Sequence, residues 1–211
     1  MKAATGILAA ILTATPVWAA QLEDQVLREL NHARTDPASF VPVLRDRLRY
    51  FDGRVLRLPG QVPLQTREGA SAVKEAIADL SKRPKLRPVV ADEALTKAAR
   101  DHVRDQGKKG LVDHKGTDGS MPSDRMARYG FHAAQVAENI SYGPNDGKDV
   151  IADLLVDDGV KGRGHRNSLL NPSFTRAGIA CGPHARFGTM CVIDLGSDPF
   201  PDRKSGKKSR D

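Results

Sequence analysis

The side chains able to bind a metal ion or transfer protons are scattered through the second half of the chain. They are His114, His132, Glu138, Asp153, Asp157, Asp158, His165 and His184. The sequence contains neither an HExxH motif nor an EF-hand loop. It also lacks a CxxC pair, which excludes a cysteine-rich zinc site. Any site must therefore be assembled by the fold from separate segments.

Three of these residues lie in local sequence that suits a site. His114 lies in a loop of small residues, VDHKGTDGS, where an imidazole is easily presented. Glu138 lies at the edge of an apolar strand, where a buried carboxylate needs a partner. His165 follows Gly-Arg-Gly, which allows close backbone approach and can begin a helix.

Two imidazoles with two carboxylates suit a borderline divalent ion such as Zn²⁺, with water completing the coordination shell. A carboxylate not bound to the metal could act as a general base on that water, which would give metal-assisted hydrolysis. The alternative is structural, because the same side chains can hold loops together through hydrogen bonds. A serine nucleophile is disfavoured because no GxSxG motif is present.

The elements that must position these residues begin with helices. Apolar residues recur at helical intervals in residues 22–35 and 67–83, whereas glycine and proline in residues 52–64 indicate a long loop. The strongest pattern covers residues 91–110, with Asp92 as N-cap and Gly110 as the stop.

His102 falls on the apolar stripe of that helix. This position favours a hydrogen-bonded core histidine, and a residue in the wall of the site is the alternative.

The second half of the chain mixes short helices with strands. Its segments predict a short helix, a strand, a helix, a glycine-initiated turn and two paired strands, at residues 124–130, 135–143, 148–159, 163–172, 175–182 and 189–196. Helices first, with a small antiparallel sheet at the end, predict an α+β sandwich.

The N-terminus predicts export. Lys2 precedes a mostly apolar run that ends in Val-Trp-Ala, so residues 1–19 are interpreted as a signal peptide, with a retained anchor as the alternative. We expect no transmembrane segment after its removal and a secreted or periplasmic protein. Cys181 and Cys191, ten residues apart, then predict a local structural disulfide.

The charge of the chain gives a weaker signal. The formal net charge is +7, and its densest cationic run lies in residues 203–211, so residues 199–211 are interpreted as a basic, disordered tail. Aromatic residues make up only 5% of the chain, too few for a nucleic-acid stacking platform. We therefore expect no specific nucleic-acid partner.

Several motifs, in this order, resemble the CAP superfamily of cysteine-rich secretory, antigen 5 and pathogenesis-related proteins. They are LNHARTDPASF, HKGTDGS, AENISYG, LLVDDGV, RGHRNSLLNP and AGIACG. The resemblance is to the bacterial SCP-like extracellular branch and places the domain at residues 22–198. It implies a three-layer α-β-α sandwich with a small central antiparallel sheet and an open cleft.

The resemblance also implies a site of two histidines and two acids in that cleft. These carry over to His114, Glu138 and His165, with Asp158 as the second acid and Asp157 as the fallback. The family helix before the second histidine usually ends in an aromatic pair followed by glutamate, whereas this chain has IADLLVDDG. Neighbouring helical residues point about 100° apart, so only one aspartate should face the cleft.

The function implied is that of an exported protein whose His/acid cleft binds a ligand or a divalent metal. His114 and His165 would hold Zn²⁺ or another divalent ion, while Glu138 and Asp158 would orient the imidazoles or position water. The expected occupant of the cleft is a small molecule, a lipid or a peptide. The alternative is a metal-dependent hydrolase, peptidase-like or nuclease-like, that uses these four residues catalytically.

Overall fold

The structure is a computed structural model that describes residues 17–200. Most of the expected signal peptide and residues 201–211 of the expected tail lie outside this range. Residues 17–19 of the expected signal peptide form the start of the first helix. The α-helices are α1 (Val17–Thr35), α2 (Phe40–Arg47), α3 (Ala70–Leu80), α4 (Glu93–Gly107), α5 (Pro122–Arg128), α6 (Gly147–Val156) and α7 (Gly164–Leu169). Short 3₁₀ turns at Pro37–Ser39 and Leu48–Tyr50 flank α2.

The central sheet carries the predicted antiparallel strands. Its strands are β4 (Val90–Ala91), β5 (Val136–Tyr142), β6 (Arg176–His184) and β7 (Gly188–Gly196), arranged in the order β4-β6-β7-β5. The β5-β7 and β6-β7 pairs are antiparallel, and the two-residue β4 adds one parallel pair beside β6. The register places Cys181 directly opposite Cys191, and the predicted disulfide joins them.

A second, smaller sheet occupies the segment that the sequence indicates as a long loop. It contains β1 (Phe51–Asp52), β2 (Val55–Leu56) and β3 (Leu64–Gln65), in that order and antiparallel. Strands of two residues are too short to show an alternating pattern, so glycine and proline dominate the sequence signal here.

Helices cover both faces of the central sheet and confirm the three-layer α-β-α sandwich. The larger core joins α1, α2, α3 and α6 to one sheet face and includes Leu30, Ile151 and Ile193. A smaller core joins α4 to the other face, around Val103 and Val192. The boundaries of α4 follow the prediction closely, with the Asp92 side chain accepting hydrogen bonds from the N–H groups of Ala94 and Leu95.

Two buried arginines attach the loops near α7 to the helical layer. Arg34 donates to the carbonyl oxygens of Leu169, Asn171 and Phe174. Arg166 donates to the carbonyl of Leu155 and forms ion pairs with acids on α3. Each guanidinium satisfies several backbone or carboxylate acceptors at once, so the position of α7 is set by directional contacts as well as by packing.

Close contact between α4 and β6 depends on a glycine. A Cβ atom at Gly178 would collide with the backbone of Leu95 and Thr96. We predict that Gly178→Ala lowers the free energy of unfolding by about 1–3 kcal/mol because α4 must move off the sheet. Gly164→Ala is the matched control, since its Cβ would meet nothing within 4 Å, and it should change stability by less than about 0.5 kcal/mol. Urea denaturation measures both, and equal effects would contradict the prediction.

Candidate functional site

The first histidine of the site is held by a buried carboxylate. His114 Nδ1 lies 2.8 Å from Glu138 Oε1, and only 1% of the Glu138 side chain is exposed. Arg125 donates to the other oxygen at 2.6 Å and also to the carbonyl of His114. Burial raises the pKa of Glu138, but the hydrogen bond from His114 and the charges of His102 and Arg125 outweigh it, so the pKa falls below its usual value. Glu138 is therefore a carboxylate that accepts the His114 Nδ1–H.

His102 lies beneath this pair, fully buried. Its Nε2 lies 2.8 Å from the carbonyl oxygen of Asp113 and 3.9 Å from Glu138 Oε1. Burial lowers the pKa of His102 below its usual value. Because a carbonyl oxygen can only accept a hydrogen bond, Nε2 carries a proton and donates it to Asp113. The predicted core histidine is confirmed, and the same residue backs the site.

The second histidine pairs with an aspartate on the other side of the sheet. His165 Nδ1 lies 2.6 Å from Asp157 Oδ1, and the backbone N–H of His165 donates to Asp157 Oδ2 at 2.8 Å. The Asp157 side chain is 1% exposed and that of His165 is 26% exposed. One carboxylate thus holds both the ring and the main chain of His165.

Asp158, which was expected to supply the second acid, makes no hydrogen bond to His165 within residues 17–200, although both line the cleft. Its two oxygens accept the backbone N–H groups of Arg67 and Glu68, at 2.6 and 2.8 Å. The helix α6 ends at Val156, and Asp157 adopts a left-handed conformation with φ of 56°. The 100° helical rule therefore does not apply beyond Val156, and the fallback residue Asp157 is the one that turns inward.

The two pairs approach each other from opposite faces of the central sheet. The ring centroids of His114 and His165 lie 6.4 Å apart, with their planes inclined by 35°. The carboxylates behind them are buried, while the imidazoles are partly exposed. The fold therefore brings His114, Glu138 and His165 together with Asp157.

A cleft of about 320 Å³ is lined by His165, whereas His114 and Glu138 are not among its lining residues. Its walls are mostly apolar, with Phe51, Leu56, Leu154 and Val156 among them, and both Asp157 and Asp158 also line it. A ligand here would contact mostly apolar surface, and the polar side chains that also line the cleft include His165, Asp158 and Arg47.

The other residues considered for metal binding lie outside the His114–His165 pair. Asp153 forms an ion pair with Arg47 at 2.5 Å. His184 packs against Tyr142, with centroids 5.2 Å apart, and its Nε2 contacts the carbonyl of Leu111. His132 is exposed, and its backbone carbonyl accepts the N–H of Phe200.

Two residues near the site were not identified from the sequence. Arg125 lies in the short helix α5, and its local sequence shows no distinguishing pattern.

Asp194 is the second of these residues. It faces Glu138 across the β5-β7 ladder and is fully buried. Neither of its oxygens has a hydrogen-bond partner within residues 17–200. Burial and the negative charge of Glu138 raise the pKa of Asp194 well above its usual value. A carboxyl in the otherwise apolar run MCVIDLG was the available signal.

Comparison with known proteins identifies the family of this chain. The family model described as CAP, the cysteine-rich secretory protein family, matches residues 27–195. The chain belongs to the CAP family.

Relatives of this CAP chain are distant in sequence. The uncharacterized protein YkwD from Bacillus subtilis is 32% identical over 94 residues, which cover 44% of this chain and 35% of YkwD. The match therefore spans about a third of the length of that relative.

Solved structures show similarity at low identity. An extracellular protein containing an SCP domain from Bacillus anthracis has 20% identity and a TM-score of 0.44, covering 62% of this chain and 38% of that one. An outer surface protein from Borrelia burgdorferi has 19% identity and a TM-score of 0.47, covering 63% and 96%. Venom allergen-like protein 4 from Schistosoma mansoni has 9% identity and a TM-score of 0.43, covering 89% and 96%.

The donors that this CAP site could offer a divalent ion are two imidazoles. Each imidazole has its Nδ1 bonded to a carboxylate, the arrangement that orients metal-ligating histidines and leaves Nε2 for the metal. No group of three or more His, Cys, Asp or Glu side chains within residues 17–200 is arranged to hold an ion. Two protein donors are one fewer than catalytic zinc sites have, so water or a ligand would supply the rest.

We predict different effects for amide substitution of the adjacent aspartates. Asp157→Asn should lower the free energy of unfolding by about 2–3 kcal/mol. The amide NH₂ of the new side chain would face either the backbone N–H or the Nδ1–H of His165, and an NH₂ group cannot accept that hydrogen bond. Asn tolerates the left-handed conformation, so the backbone preference is preserved. Asp158→Asn should lower it by about 1 kcal/mol or less, since its contacts lie at the surface.

Urea denaturation measures the stabilities, and ¹⁵N NMR monitors the His165 Nδ1–H resonance. This resonance should be lost through solvent exchange in Asp157→Asn and retained in Asp158→Asn. The reverse pattern would assign the second acid to Asp158.

The raised pKa of Asp194 predicts that its contribution to the stability of the protein falls as pH rises. The pKa of Asp194 is higher in the native state than in the unfolded state. Its contribution to the free energy of unfolding is therefore fully present below the unfolded-state pKa, near 3.9, and is lost as pH rises toward the native-state pKa. Asp194→Asn does not titrate and should become more stable than the unmodified chain as pH increases from 4 to 8, by about 1.4 kcal/mol for each unit of the shift. Urea denaturation of both proteins across this range is the measurement. A stability difference that does not change with pH would contradict it.

Proposed function

We propose that this CAP protein is exported and binds a ligand in the cleft beside His165, with His114 and His165 able to hold a divalent ion. The observation that carries the proposal is the approach of two histidine–carboxylate pairs from opposite faces of the sheet, with ring centroids 6.4 Å apart. Buried carboxylates fix both rings before any ligand arrives, which reduces the ordering required on binding.

Export is supported by several features. The family is named for secretory proteins, and the B. anthracis and B. burgdorferi proteins are described as an extracellular protein and an outer surface protein. The Cys181–Cys191 disulfide suits an oxidising compartment. Within residues 17–200, no helix is both long and apolar enough to cross a membrane. The interpretation of residues 1–19 as a signal peptide agrees with this destination.

The shape and lining of the cleft support ligand binding. Apolar side chains such as Phe51, Leu56 and Leu154 would cover the body of a ligand, and His165 would contact one of its polar groups. A mostly apolar cleft with a few convergent polar groups is the usual form of a small-ligand site.

A bound divalent ion would be held by His114 and His165, with Glu138 and Asp157 orienting the two rings. Such an ion would supply Lewis-acid chemistry to a ligand oxygen. The chain itself positions the imidazoles and keeps the Nδ1 protons on the carboxylate side, which leaves both Nε2 atoms as donors to metal or ligand.

A metal-dependent hydrolase is the second candidate. The observation that favours it is the buried carboxylate behind each imidazole, which fixes the tautomer and the orientation of the ring. Loss of peptidase or nuclease activity on chelation and in His165→Ala would favour this function over binding alone.

We predict that Zn²⁺ binding depends on both His114 and His165. His114→Ala and His165→Ala should each weaken Zn²⁺ binding at least tenfold, because each removes one of the two imidazole donors of the proposed site. His32→Ala is the matched control, since His32 is half-exposed on α1 and contacts Glu29 rather than the cleft. Isothermal titration calorimetry of the four proteins measures the affinities. Equal Zn²⁺ binding by all four would refute the metal site.

A further inference from the structure

The cleft is bounded by the edges of two strands rather than by side chains alone. Three consecutive residues of β5, Ile140, Ser141 and Tyr142, line one side, and the consecutive residues 64–67 line another. Successive side chains of a strand point to opposite faces of its sheet. Consecutive strand residues can line one cleft only where the backbone edge itself faces it.

The edge of β5 presents unpaired peptide groups. Among the strands of residues 17–200, β5 is the last of the sheet and pairs only with β7. The Gly143 N–H donates to the Thr189 carbonyl, and the Ser197 N–H donates to the Gln135 carbonyl, both in the register of the β5-β7 ladder. Alternate residues of an antiparallel strand bond to the same neighbour. The odd-numbered residues of β5 therefore bond to β7.

The even-numbered residues consequently point their peptide groups away from β7. Among these, Ile140 and Tyr142 line the cleft. Within residues 17–200, the backbone N–H and C=O groups of these two residues make no hydrogen bond. Edge strands normally protect such groups because they can pair with another chain.

The strand β3 also presents an edge to the cleft. It is the last strand of the small sheet, and the Thr66 N–H donates to the Arg54 carbonyl on the β2 side. By the same alternation, the peptide groups of Gln65 point away from β2. Two open edges therefore face one cleft.

The groove is longer than the site at the histidines. An adjoining cavity of about 250 Å³ shares Leu64, Tyr142 and Asp153 with the cleft. Its walls include Val62, which is 89% exposed, and Phe187. The two cavities adjoin at these three residues, and we call the pair the groove. Its walls combine apolar side chains with polar groups, over a length suited to an extended occupant.

We propose that the groove binds an extended peptide that adds a strand to β5 through the N–H and C=O groups of Ile140 and Tyr142. This proposal rests on the proposed function, in that the cleft must accept a ligand. Main-chain pairing would provide affinity with little sequence preference, and the apolar walls would favour apolar side chains at alternate positions. Proline at a pairing position would be excluded because it has no N–H to donate.

The first test uses a pool of acetylated, amidated hexapeptides randomised over residues other than proline and screened by retention on the immobilised protein. A retained peptide is resynthesised with N-methyl groups on its odd-numbered or even-numbered amides. We expect one of the two N-methylated peptides to bind at least tenfold more weakly than the unmethylated peptide. The other should differ from it by less than threefold, because only alternate peptide groups pair with β5. Hydrogen exchange of the Ile140 and Tyr142 amides should slow at least tenfold on binding.

The second test removes a pairing group from the protein. Ile140→Pro deletes the outward N–H, which is not part of the β5-β7 ladder, and Ile140→Ala loses comparable side-chain packing but keeps that N–H. Ile140→Pro should weaken peptide binding at least tenfold relative to Ile140→Ala. An unchanged far-UV circular dichroism spectrum verifies the fold of each variant, and if Ile140→Pro does not fold, the N-methyl series decides.

The outcomes separate this inference from the proposed function. Strand addition would be overturned if the protein retains no peptide. It would also be overturned if both N-methylated peptides bind equally well and hydrogen exchange of the Ile140 and Tyr142 amides does not slow on binding. If Zn²⁺ or an extracted lipid then binds with dependence on His165, ligand binding in the cleft stands without the peptide. If nothing binds, the proposed function fails as well.

Discussion

The site depends on two carboxylates that the fold has removed from water. A buried carboxylate is costly unless charged or hydrogen-bonding groups surround it. Glu138 is satisfied by Arg125 and by the His114 ring, and Asp157 by the ring and backbone of His165. These contacts are required to stabilise the carboxylates, and as a consequence they fix both imidazoles. The exposed nitrogen atoms of the site are therefore oriented by interactions that lie in the interior.

The position of β5 at the edge of the sheet explains why the two pairs can meet. Glu138 points to the face covered by α4 and α5, whereas Asp157 and His165 belong to the layer of α6 and α7 on the opposite face. In a sheet with strands on both sides of β5, main chain would separate these layers. At an edge, side chains from both faces approach around the strand, and the same edge leaves peptide groups open to the cleft.

The turn between α6 and α7 contains the only non-glycine residues with positive φ within residues 17–200, Asp157 and Arg163. Such conformations are retained only where surrounding contacts compensate for them. The Arg163 guanidinium bonds to Glu68 and to the carbonyl of Asp157, while Arg166 bonds to Glu75. Charged contacts to α3 and the loop before it thus stabilise the turn that carries His165. The charges in this glycine-rich segment support the site without belonging to it.

The sequence by itself determined the elements with strong local signals. Apolar periodicity located α4 and its Asp92 cap, alternation located β6 and β7, and the cysteine spacing located the disulfide. Ordered family motifs led to His114, Glu138 and His165. Only the tertiary structure decided between the adjacent aspartates, because a left-handed residue after α6 reverses the helical expectation. It alone also revealed Asp194 beside Glu138, because a cross-strand neighbour 56 residues away leaves no local pattern in the chain.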